Sequence, residues 1–105
     1  MEIRVTIVSA PSEECAREIT LKLIEARQSA CVNIISGVRS IYRWQGKIED
    51  EKEVLLLIKS PAAGLEKLHE LIKKIHPYEN PEIVSIAPER VAKAYAEWIN
   101  NDAKG

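Results

Sequence analysis

At 105 residues, with 46% hydrophobic and 30% charged side chains, the chain has the size of one globular domain and too much apolar content to stay disordered. Its 15 basic and 16 acidic residues leave a formal charge of −1 with the signs interspersed, which excludes the extended basic field that nucleic-acid binding draws on. No apolar run approaches the ~20 residues of a membrane span, and the first residues carry no basic-then-apolar targeting pattern, so a single cytoplasmic domain over 1–105 is expected.

Ile3, Val5 and Ile7 alternate with Arg4 and Thr6, the period of a strand, and Pro11 stops it. Ser12 suits a helix cap, Glu13 and Glu14 suit the positive end of the dipole, and Ala16, Ile19, Leu23 and Ala26 recur at helical spacing, predicting a helix over 12–29. Cys31 to Gln45 reads as one long strand with a bulge at Ser36-Gly37. The polar stretch Lys47 to Lys52 then leads into the apolar run Val54 to Ile58, so residues 38–59 form an extended hairpin whose turn is not fixed by sequence.

Ser60-Pro61 reads as a helix start, with Leu65, Leu68, Ile72 and Ile75 on the buried face and Pro77 ending the helix just after His76. Glu82 to Ala87, bounded by Pro81 and Pro88, predicts an edge strand. Val91, Ala94, Tyr95 and Trp98 predict a last amphipathic helix, frayed beyond Asn100. The order β-α-β-β-α-β plus a terminal helix is the α+β, split β-α-β arrangement of ferredoxin-like folds, in which both main helices cover one sheet face.

The third strand is apolar on both sides, with Leu55 and Leu57 on one and Val54, Leu56 and Ile58 on the other. Leaving three such side chains in water forgoes roughly 1.5 to 3 kcal/mol each, which predicts a partner surface, most simply further copies of this chain. The residues expected at that interface are Val54, Leu56 and Ile58, with Tyr42 and Trp44 as aromatic anchors.

Few residues point to chemistry. His76 closes the second helix before Pro77-Tyr78, where it can bond terminal carbonyls or ligate a metal. His69 lies two turns earlier, too far for a helical chelate. Cys31 opens an apolar strand and reads as a small buried hydrophobe, while Cys15 sits in a first helical turn where Glu13 and Glu14 oppose thiolate formation. Neither has a histidine base placed beside it, so a thiol-dependent enzyme is the weakest reading and no catalytic residue is assigned. Glu49, Asp50, Glu51 and Glu53 form the densest acidic cluster, which reads either as oxygen ligands for a divalent cation or, more commonly for such a run, as a solvated hairpin tip, and the glycine of a calcium loop does not accompany it.

The stretch Gln28-Ser29-Ala30-Cys31-Val32-Asn33-Ile34 and then Ser40 to Glu49, SIYRWQGKIE, resembles the second strand and hairpin of the CutA divalent-cation tolerance family. Leu57-Ile58-Lys59-Ser60, His76-Pro77-Tyr78-Glu79-Asn80-Pro81-Glu82-Ile83 and Tyr95-Ala96-Glu97-Trp98 resemble later parts of the same family in order. The resemblance implies a trimer built by strand pairing between long hairpins, similar to the PII signalling proteins, and a role in tolerance of copper and other divalent ions. It also implies Cu(II) binding through a cysteine at the end of strand one and two adjacent histidines before the Pro-Tyr pair. Of these His76 is retained, Ile75 stands beside it, and Val8-Ser9 occupies the cysteine's place. The leading expectation is thus a homotrimer that binds Cu(II), or another divalent metal, weakly or not at all through His76. The alternative is a regulatory module holding a small anionic ligand in an intersubunit cleft near Cys31, Lys59 and Tyr78.

Overall fold

A computed structural model describes residues 2–103. Strand β1 (Ile3–Ala10) leads into helix α1 (Glu13–Glu25), strands β2 (Cys31–Trp44) and β3 (Lys47–Pro61), helix α2 (Leu65–Ile75), strand β4 (Ile83–Ile86) and helix α3 (Lys93–Asp102). The four strands form one antiparallel sheet in the order β2-β3-β1-β4, the ferredoxin-like order, with the predicted edge strand β4 at one edge and β2 at the other.

Local signals act as their chemistry dictates. The Ser12 hydroxyl accepts the Cys15 N–H at 3.1 Å and caps α1. That helix ends at Glu25, four residues short of the predicted stop, because Arg27 turns into the left-handed region at φ 58°. The Gln28 and Arg27 amides then bond back to the Leu23 and Ile24 carbonyls, closing the last turn as a Schellman motif. The hairpin turn falls at Gln45-Gly46, where φ is 49° and 79°, the paired left-handed conformation of a two-residue loop. Gly37, at φ 77°, lies in the expected bulge between Ile35 and Val38.

Three expectations are corrected. Lys47 to Lys52 is strand throughout, paired residue for residue with Arg39 to Trp44. Ser60 and Pro61 do not start a helix, since they complete the ladder with Arg4 and Ile3, and a 3₁₀ turn over Ala62–Gly64 precedes α2. Helix α3 continues to Asp102 rather than fraying at Asn100, with its last turn bonding Ala103 to Ile99.

The main core lies between the sheet and α1 and α2. Val8 opposite Leu56 and Ala10 opposite Val54 set the register, and with Ile58 these side chains pack against Ile19 and Leu23 of α1 and Leu68 and Ile72 of α2. Val54, Leu56 and Ile58, expected at a subunit interface, are therefore sealed inside their own chain, at 6%, 0% and 0% exposure. The opposite face is covered at one end only, where Ala96 and Ile99 of α3 pack on Ile3. Beyond it Val5, Ile7, Leu55 and Leu57 are half-buried, and Ile35, Val84 and Ile86 are 42%, 48% and 50% exposed. The described residues span 44 × 26 × 22 Å, with the β2-β3 hairpin running past the end of β1 at Ala10.

Candidate functional site

A cleft of about 810 Å³ opens where the hairpin leaves the body of the sheet. Because side chains alternate along a strand, Glu49, Glu51 and Glu53 of β3 share one face and oppose Tyr42, Ser40 and Val38 of β2. The segment between α2 and β4 forms the facing wall with Tyr78, Glu79, Asn80 and Glu82. Among the described residues that line the cleft, Arg43 is the one basic side chain.

His76 anchors that wall. It is 8% exposed, and its Nε2 lies 2.7 Å from the Ser9 carbonyl oxygen while its Nδ1 lies 3.0 Å from the Tyr78 amide nitrogen. A carbonyl only accepts and an amide N–H only donates, so Nε2 carries the proton and Nδ1 takes the amide hydrogen. Both ring nitrogens are committed, and no lone pair is left for a metal. In this conformation His76 is a structural clamp, with both ring nitrogens engaged inside the chain. Among the described residues, no three His, Cys, Asp or Glu side chains converge so as to hold a metal ion.

The clamp fixes Tyr78, whose ring sits 4.8 Å from the imidazole and whose hydroxyl donates to Glu53 Oε2 at 2.8 Å. Burial, then this bond to Glu53, pushes the Tyr78 phenol well above the usual tyrosine range. Tyr42 is raised too, by loss of solvent first and by the neighbouring Glu51 carboxylate next. A phenol with a higher pKa folded than unfolded keeps its proton after the unfolded chain has released it. Stability is therefore full below the unfolded value near ~10 and falls as pH rises above it. Urea titrations from about pH 9 to 11 should show that fall, and Tyr78→Phe should reduce its steepness; an unchanged slope in the variant would contradict the Tyr78 assignment.

Cys31 and Lys59 do meet: Lys59 Nζ lies 3.9 Å from Cys31 Sγ and bonds the Asn33 side-chain oxygen. Tyr78 is not with them within one chain, because Lys59 stands six positions from Glu53 along β3, roughly 20 Å away. Burial, followed by the charge of Glu18, raises the Cys15 thiol, which opposes a nucleophilic role. His69 bonds the Ser85 hydroxyl at 2.6 Å, and Ser85 bonds Thr6 at 2.7 Å, a chain that ties α2 to both strands beneath it. Tyr42 and Trp44 are 39% and 41% exposed on the cleft side of the hairpin. The sequence places the acidic cluster at a hairpin tip, whereas the structure carries Glu49, Glu51 and Glu53 along β3, and their period-two spacing is the signal that identifies strand rather than tip.

The sheet order, the helices α1 and α2 on one face and the cleft at the hairpin base define a ferredoxin-like α+β scaffold. The chain belongs to the CutA1 divalent ion tolerance family, whose sequence profile matches residues 4–102. It is 43% identical over 98 residues to the divalent-cation tolerance protein CutA of Thermus thermophilus, covering 93% of this chain and 95% of that one. It is 37% identical to mouse Protein CutA over 93% of this chain, but spans only 55% of that protein's length. Its fold is similar to the structure named periplasmic divalent cation tolerance protein CutA from Archaeoglobus fulgidus, with a TM-score of 0.93 at 31% identity over 97% of this chain and 99% of that one.

Proposed function

We propose that this chain works as a cytoplasmic homotrimer in the response to divalent cations, as a binding protein rather than an enzyme. The observation that carries the assembly is the open sheet face, where Val5, Ile7, Leu55 and Leu57 lie half-buried beside the exposed Ile35, Val84 and Ile86. Completing the burial of such side chains stabilises by up to roughly 1.5 to 3 kcal/mol each, less what the single chain already covers. Two unlike edges, the 14-residue β2 and the four-residue β4, can pair between copies, and such a heterologous contact closes into a ring. The names of the relatives support the link to divalent cations. The free thiols of Cys15 and Cys31 favour the cytoplasm, although the Archaeoglobus structure is named periplasmic.

Contact with Cu(II) or another divalent ion is weak and lies outside His76, whose nitrogens are both occupied. A small anion as ligand is confined to the Lys59 end, because Tyr78 stands among glutamates. Sedimentation equilibrium at micromolar concentration should return three times the 11.8 kDa of the chain, and a monomer would overturn the assembly.

A further inference from the structure

We infer that His69, Ser85 and Thr6 form an acid-released latch, a hydrogen-bond chain that holds the edge strand β4 beneath α2 only while the imidazole is neutral. The latch goes beyond the proposed assembly and does not rest on it.

Hydrogen counting carries the argument. His69 Nε2 lies 2.6 Å from the Ser85 hydroxyl oxygen, which lies 2.7 Å from that of Thr6. Thr6 is fully buried, and Ser85 is its one side-chain partner among the described residues, so the Thr6 hydroxyl donates to Ser85. The Ser85 hydrogen is then left for His69, and Nε2 accepts it. His69 is thereby assigned the Nδ1-protonated tautomer, the reverse of His76.

A proton on Nε2 reverses every link. Three hydrogens then compete for two gaps: the imidazolium donates to Ser85, Ser85 donates to Thr6, and the Thr6 hydrogen is left in the core without an acceptor. Surrounding charge does not offset that loss. On α2, Glu66 and Lys73 flank His69 one turn away on either side with opposite signs. On β1 the charge on the Thr6 face is Arg4, whose guanidinium is engaged by Glu2 and the Ile3 carbonyl. β4 turns Ile83 and Ser85 toward the helices, and neither carries a charge. Among the described residues no carboxylate forms an ion pair with His69.

β4 is the element that such a loss frees. It has four residues and pairs with β1 alone, and short edges of this kind open well below the free energy of global unfolding. Histidine changes charge between about pH 5 and 8, so the latch holds at the upper end of that range and opens as pH falls through it.

Amide hydrogen exchange of the full chain at about pH 7.5 and 5.5, corrected for intrinsic rates, tests the latch. Protection of the β4 amides should fall about tenfold more than that of the β3 amides between the two conditions. His76 adds an acid dependence of its own, which β3 shares through the Tyr78–Glu53 bond and which the variants retain. His69→Gln keeps a neutral acceptor for Ser85, and Thr6→Val removes the hydrogen that would be stranded; in each, β4 should follow β3. Long-range proton–nitrogen spectra should show Nδ1–H on the neutral ring of His69. A parent whose β4 already follows β3, a variant that keeps the extra acid loss, or an Nε2-protonated neutral ring at position 69 would overturn the assignment.

Discussion

Leu56→Ala should destabilise the protein by about 3 to 5 kcal/mol, whereas Leu55→Asp, one residue away, should leave the chain folded and abolish the proposed assembly. Leu56 is fully buried opposite Val8, beneath α1 and α2, and truncation there opens a cavity in a sheet that cannot readily collapse. Leu55 is half-buried on the other face, opposite Ser9 and Ile35. A carboxylate at position 55 meets water in the free chain but would be buried between copies, so its cost falls on association. Denaturant midpoints and sedimentation masses of the two variants give a crossed pattern. The reverse pattern, with Leu56→Ala dissociating a stable fold and Leu55→Asp unfolding it, would show that the two faces have been exchanged.

The same pair shows how far sequence reading extends. Both parities of Val54 to Ile58 are aliphatic, so periodicity establishes a strand dry on two sides but cannot say which side meets its own helices. That choice is made by the register with β1, more than forty positions earlier in the chain, where Val8 and Ala10 fall opposite Leu56 and Val54. Ser60-Pro61 failed for a related reason: a good local helix start was overridden by two more rungs of the β1 ladder. The acidic run was misplaced because glutamate is a poor strand former and only pairing with Arg39 to Trp44 makes it one. By contrast the Ser12 cap, the Gly37 bulge and the edge position of β4 were legible because each depends on a few adjacent residues. His76-Pro77-Tyr78 was visible as a motif, but its partners, the Ser9 carbonyl and Glu53, are remote in sequence, and they decide that the histidine clamps rather than ligates.

That reassignment makes His76→Ala a second large loss, this time of stability and not of copper affinity. Removing the ring strands the Ser9 carbonyl and the Tyr78 amide, each at a cost of about 1 to 3 kcal/mol when buried, and it also removes the surface on which Tyr78 stacks. A total near 3 kcal/mol should lower the melting temperature by ~10 to 20 °C in a domain of this size. The Tyr78 hydroxyl should also lose its fixed approach to Glu53, so its phenol should ionise closer to the ordinary tyrosine range than in the parent. Long-range proton–nitrogen spectra of the parent should show an Nε2-protonated, neutral imidazole at position 76. Its signals should persist when substoichiometric Cu(II) is added. If instead they broaden before those of His69, the metal reaches a nitrogen that the Ser9 and Tyr78 bonds should withhold, and the clamp assignment fails.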